Sequence, residues 1–173
     1  MKKLITLNIG IIALAGIVRI LPHPWNFTPI IAACIYSGFY MNNRFFAILL
    51  PLLTVFVGDL VLGLYSGMAW VYSSYLSVIL LGFLFNGNAS FKKVGMLTVS
   101  GSLTFFIISN FGVWFSGMIY PKTVSGVIAC YTAAIPFFQN SLLGTILYSG
   151  LFFGITEILI QKSSNQHVLA EIS

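Results

Sequence analysis

Residues 45–63 read Phe-Phe-Ala-Ile-Leu-Leu-Pro-Leu-Leu-Thr-Val-Phe-Val-Gly-Asp-Leu-Val-Leu-Gly, nineteen positions carrying one charge, Asp59. Crossing the hydrocarbon of a bilayer takes about 20 apolar residues, within about 17 to 25. The stretch meets that requirement, and comparable runs lie at 4–21, 28–41, 70–86, 94–115 and 138–161. They predict an all-α integral membrane bundle of about six transmembrane helices. The second run, Thr28 to Met41, is too short to cross unaided, so it is expected to be tilted or shielded by its neighbours. Ile119 to Phe137 places Pro121, Gly126 and Pro136 around an apolar run, Val127 to Ile135. It reads as a long outer loop whose short helix lies on or dips into the outer face. The expected organisation is one transmembrane domain over 1–162 and a polar, frayed cytoplasmic tail over 163–173.

Composition supports the membrane reading. Of 173 residues, 58% are hydrophobic and 6% charged, against about 25% charged in an average soluble domain. So few charges cannot solvate a globule of this size. The net charge of +5 does not point to nucleic acid, because no basic run exceeds two residues. Cys34 and Cys130 lie in apolar surroundings without CxxC or metal-ligand spacing, and read as packing residues. Neither a metal nor a cofactor is expected. The chain has no P-loop, dinucleotide-binding glycine pattern or HExxH motif, so it carries no visible means of hydrolysing ATP.

Basic residues set the expected orientation. With the N-terminus inside, Lys2, Lys3, Arg44, Lys92, Lys93 and Lys162 face the cytoplasm, and only Lys122 falls in an outer loop. Removing one internal span would put the later lysines on the wrong side. Both termini are therefore placed in the cytoplasm, with the chain in a bacterial inner membrane. Met1-Lys2-Lys3, an apolar stretch and Ala13-Leu14-Ala15 also fit a secretory signal and its cleavage site. Asn8 interrupts that region and the apolar pattern continues through Ile20, which favours an uncleaved first span.

Charges at membrane depth cost roughly 2.5–3.5 kcal/mol each on insertion scales and mark functional candidates. At about 1.5 Å rise per residue, Arg19 lies roughly 22 Å up the first span, Asp59 roughly 21 Å up the third and Asn110 roughly 24 Å up the fifth. These three share one layer in the outer leaflet, where Arg19 and Asp59 either tie two helices together or form the floor of a pocket. Glu157, near Lys162, is expected at the cytoplasmic interface. Above Arg19, residues 21–29 read Leu-Pro-His-Pro-Trp-Asn-Phe-Thr-Pro, a turn stiffened by three prolines. His23, Trp25 and Asn26 thus stand at the outer mouth, where His23 either caps backbone carbonyls or meets a ligand and Trp25 either anchors in the headgroups or stacks. Tyr65, Tyr72, Tyr75, Trp114 and Tyr120 gather at the same level, with Asn110 and Trp114 on one face at i,i+4. The inner turns at 41–44 and 86–89 are short and polar. Gly150 and Gly154, and Ala33 with Ser37, are small pairs suited to close helix contact within the bundle or with a partner.

Three segments carry a resemblance. Arg19-Ile-Leu-Pro-His-Pro-Trp-Asn-Phe-Thr-Pro29, Ser109-Asn-Phe-Gly-Val-Trp-Phe-Ser-Gly117, and Tyr120-Pro-Lys-Thr continuing to Cys130-Tyr-Thr-Ala-Ala-Ile-Pro-Phe-Phe138 resemble an uncharacterised bacterial family of six-helix membrane proteins catalogued among transport proteins. More distantly, the length, six spans and cytoplasmic termini are similar to the substrate-binding S components of energy-coupling-factor (ECF) transporters. That resemblance implies a vitamin-like ligand under the outer loops, with a separate transmembrane coupling protein and two ATPases as partners. In place of an AxxxA docking face, the first span offers Ala13 and Gly16 at i,i+3.

The expected function is substrate binding for micronutrient uptake, with no catalysis by the chain itself. Arg19, His23, Trp25, Asn26, Asp59, Asn110 and Trp114 are the candidate contacts. Arg19 would take a carboxylate or phosphate, Asn26 and Asn110 would orient the ligand, and Trp25 or Trp114 would stack. The alternative is a small membrane enzyme or assembly factor acting on a lipid-like substrate, for which only His23 and Asp59 offer chemistry.

Overall fold

The computed structural model describes residues 2–85 and 87–172, with side chains over 6–85 and 87–162. Among the described residues the chain is all-helical: α1 Lys2–Ile20, α2 Ile30–Tyr40, α3 Arg44–Leu62, α4 Met68–Leu84, α5 Phe91–Ser116 and α6 Val124–Ile172. Three helices, α3, α5 and α6 over Val124–Lys162, are long and apolar enough to cross a membrane, whereas α1, α2 and α4 give shorter apolar segments. Leu53, Phe56 and Leu60 of α3 and Leu143, Ile146 and Leu147 of α6 are exposed. An apolar exterior around hydrogen-bonded helices is the surface that lipid requires, and the chain is an integral membrane protein.

The short second helix is the centre of the fold. Ten of its eleven residues, Ile30 to Phe39, are buried, and α2 packs against each of the other five helices. At about 1.5 Å per residue it is about 17 Å long, roughly half the hydrocarbon thickness of about 30 Å. Shielding by neighbours is thus what permits so short an element. The closest approach is to α4, where a Cβ on Gly38 would stand 2.2 Å from the Ile79 carbonyl oxygen and one on Gly82 would stand 2.8 Å from that of Ile35. Removing both side chains lets the backbones touch. The expected small pair Ala33 and Ser37 is buried as well. Gly150 and Gly154 differ, since a Cβ at either would meet nothing within 4 Å.

Ser37 also solves a problem that the sequence creates in α3. Pro51 lies inside that helix, and lacking an N–H it leaves the Ala47 carbonyl without its i+4 donor. The Ser37 hydroxyl donates to that oxygen across the α2–α3 contact at 2.7 Å. The starts of α3 and α5 are closed by side-chain caps: Asn43 accepts from the amides of Phe45 and Phe46 at 3.0 and 3.3 Å, and Ser90 accepts from Lys93 at 3.3 Å.

The expected long outer loop is not there. The connection after α5 is confined to 117–123, and α6 runs unbroken for 49 residues with Pro136 inside it. Thr123 starts it, accepting the Gly126 amide on its hydroxyl at 3.1 Å as an N-cap does. Proline and glycine end helices readily in water, but in lipid an unpaired backbone costs more than a local distortion. At its other end the helical backbone continues to Ile172, through the tail expected to fray. Its length of about 73 Å exceeds the membrane and its headgroups together, about 40–45 Å.

Candidate functional site

The ends of α1, α3 and α5 and the start of α2 meet at one pole of the bundle, opposite the turns carrying Arg44, Lys92 and Lys93. Arg19 points from the last turn of α1 towards α3, where it forms an ion pair with Asp59. The Asp59 side chain is 1% exposed and that of Arg19 13%. Tyr72 of α4 donates to the other carboxylate oxygen at 2.8 Å, and Arg19 Nη1 lies 3.5 Å from the Tyr75 phenol oxygen. Both carboxylate oxygens are therefore satisfied, as a buried charge requires. Gly58 makes the approach possible, because a Cβ there would stand 3.1 Å from Arg19 Cδ and Nε. Nε itself is buried without a partner among the described residues. Tyr65 approaches from the α3–α4 turn; burial first, and then the Asp59 charge, push its phenol above the usual value, against a lowering by Arg19.

Arg19, backed by Asp59, forms the inner wall of a cleft of about 270 Å³, lined by Arg19, His23, Trp25, Asn26, Thr28 and Leu62. Residues 21–29 are its roof. They are pinned to α6 by the Asn140 amide, which donates to the Trp25 carbonyl at 3.1 Å, and by Gly144, where a Cβ would stand 3.3 Å from Phe27 Cα. His23 turns its ring nitrogens to the carbonyls of Pro24 at 3.0 Å and Arg19 at 3.1 Å, holding the loop to the end of α1. A neutral imidazole donates to only one at a time. Trp25 is 79% exposed at the rim. Asn26 takes a left-handed conformation with φ 59°, which asparagine tolerates better than most residues.

Asn26 also lines a second, smaller cavity of about 110 Å³ between α5 and α6, together with Asn110, Phe105, Phe106, Phe138 and the hydroxyl residues Ser102, Ser109 and Ser141. Asn110 donates its amide to the Phe106 carbonyl at 2.8 Å, leaving its amide oxygen for the cavity. Of the candidates drawn from sequence, Arg19, His23, Trp25 and Asn26 meet in the cleft, Asp59 lies behind Arg19, and Asn110 lines the adjoining cavity. Trp114 joins neither. Its indole N–H donates to the Pro121 carbonyl at 3.1 Å and its ring packs on Phe111 at 5.5 Å, which braces the loop into α6. Ser102, Ser109 and Ser141 were not singled out in the sequence, although Ser102 and Ser109 share a face of α5 at i,i+7 with Asn110 beside them. At the opposite pole, Tyr40 donates to Glu157, and Tyr36 joins Asn8 and Thr156, each at 2.7 Å. That cluster is separate from the cleft.

A cleft walled by the arginine of a buried ion pair, within a lipid-facing helical bundle, defines a membrane protein with a small-molecule-sized opening at one pole. The chain belongs to the family of unknown function (DUF6580), whose model matches residues 1–168. No curated protein and no solved structure matches it.

Proposed function

We propose that this chain is the substrate-binding membrane subunit of a micronutrient uptake transporter, energised by a separate coupling protein and ATPases. The observation that carries the reading is the cleft of about 270 Å³ with Arg19 on its wall and a proline-stiffened roof. It opens at the pole opposite the basic turns. Under the positive-inside rule that pole faces outward, where a nutrient would arrive. In this reading all six helices lie across a bacterial inner membrane, α2 enclosed by the others, with both termini in the cytoplasm. The Arg19 donors left over from Asp59 hold a carboxylate or phosphate of the ligand, Asn26 orients it and Trp25 covers it. The resemblance to ECF S components supports the same assignment. So does the lack of any ATP-hydrolysing motif, which leaves energy to a partner.

For docking that partner, Ala13 is exposed on α1, while Gly16 is closed off by Thr54 of α3, 2.4 Å from where a Cβ would stand. An enzyme of lipids is less well supported, because both His23 nitrogens face carbonyl oxygens rather than a carboxylate. The test is mass spectrometry of small molecules released from the purified chain, paired with uptake assays in cells. A retained nutrient whose uptake falls in Arg19→Gln supports the reading. Lipid turnover by the isolated chain, with no nutrient retained, would sink it.

A further inference from the structure

The cleft at Arg19 suits a polar group, but the adjoining cavity between α5 and α6 has a different chemistry. None of its lining residues is charged, so an ion entering it would lose hydration without a counter-charge. Its apolar walls are aromatic: Phe106 and Phe138 lie with ring centroids 4.8 Å apart, and Phe105 packs on Tyr75 at 4.9 Å. Its polar groups are uncharged: the amides of Asn26 and Asn110 and the hydroxyls of Ser102, Ser109 and Ser141. Ser102 is 0% exposed and its hydroxyl has no partner among the described residues, which is uncommon for a buried polar atom. The Asn110 amide oxygen adds an acceptor, its nitrogen being held by Phe106. Of the other two hydroxyls, that of Ser109 is already used, donating to the Phe105 carbonyl at 2.7 Å, whereas that of Ser141 also lines the cavity.

From this we infer that the cavity binds the uncharged, planar ring portion of the ligand, carrying an amide-like donor and acceptor. The inference rests on the substrate-binding reading and names the chemical class of what that site takes. Aromatic walls favour a flat π-face over a saturated ring. Ser102 and Asn110 supply one two-way hydroxyl and one acceptor, the complement of a carboxamide or lactam edge. The volume of about 110 Å³ accommodates one ring, given that a single water needs at least about 10–15 Å³ by the same measure. Because Asn26 lines both spaces, a ring seated here reaches Arg19 with its remaining substituents.

The test uses three probes of similar size on the purified full chain in nanodiscs, read by thermal unfolding: benzamide, benzoate and cyclohexanecarboxamide. Benzamide at millimolar concentration is expected to raise Tm, while the anionic and the non-planar analogues leave it unchanged. Ser102→Ala is expected to weaken benzamide about tenfold by removing one hydrogen bond. Ser102→Phe is expected to abolish the shift by filling the space, and the alanine variant carries the test if the larger side chain prevents folding. Equal shifts from benzoate or cyclohexanecarboxamide, a shift that persists undiminished in Ser102→Ala, or no shift from any probe would each overturn the assignment. A retained nutrient that is charged throughout or non-planar would also overturn it, while leaving the substrate-binding reading intact. That reading fails separately, on the absence of any retained nutrient or dependent uptake.

Discussion

Ser37 is the residue on which two helices agree. It supplies the donor that Pro51 withholds from the Ala47 carbonyl, so Ser37→Ala should cost about 1–3 kcal/mol, the penalty of a buried polar group left unpaired. Pro51→Ala restores a backbone N–H, and in that background the cost of Ser37→Ala should largely vanish. A double-mutant cycle followed by denaturant unfolding in detergent measures the coupling. Arg19 and Asp59 permit a second cycle. Arg19→Met alone strands a buried carboxylate and should destabilise by about 3–5 kcal/mol, whereas Arg19→Met with Asp59→Leu should recover most of that loss. If the recovered double variant still retains ligand, the pair is only a tie between helices. That these two charges share a layer was legible from depth alone, while their pairing shows only in the placed side chains. Their hydroxyl neighbours were less legible: Tyr72 and Tyr75 read as part of an aromatic belt, because belt and pocket draw on the same residue types.

Among the elements, α2 and α6 show where periodicity and length stop being informative. An apolar run of α2's length reads equally as a poor span or an enclosed one, and the difference lies in its neighbours. Gly38 and Gly82 were overlooked because neither belongs to a GxxxG, although the α2–α4 contact depends on them. Gly38→Ala places a methyl against backbone at 2.2 Å, and backbone does not yield as a flexible side chain does. The expected outcome is loss of the folded monomer peak in size-exclusion chromatography, with Gly150→Ala, whose site is open, as the unaffected comparison. The start of α6 was missed for a different reason: Pro121, Gly126 and Pro136 outweighed Thr123, whose hydroxyl caps the helix. Thr123→Ala should cost about 1 kcal/mol, seen as faster hydrogen exchange over the first turn of α6 alone.

For the molecule as a whole, the proposed polarity along the membrane normal rests on counting spans, which assigns a side to each basic residue. Reporter fusions after Ile20, Tyr40, Ser116 and Lys162 should report alternating outer and inner locations, ending inside. An outer location for the fusion after Lys162 would overturn the orientation proposed above. The second run was expected to be short and either tilted or shielded, and the structure encloses it at the heart of the bundle. In the proposed orientation, a ligand at Arg19 would have roughly 22 Å of protein beneath it in place of about 30 Å of hydrocarbon. Where water fills the cleft in that arrangement, the membrane voltage falls across the thinner septum, and the field within it rises by about a third. In that reading the cleft is an electrical feature as much as a binding one: a charged group docked at Arg19 would stand at the edge of the steepest part of the transmembrane potential.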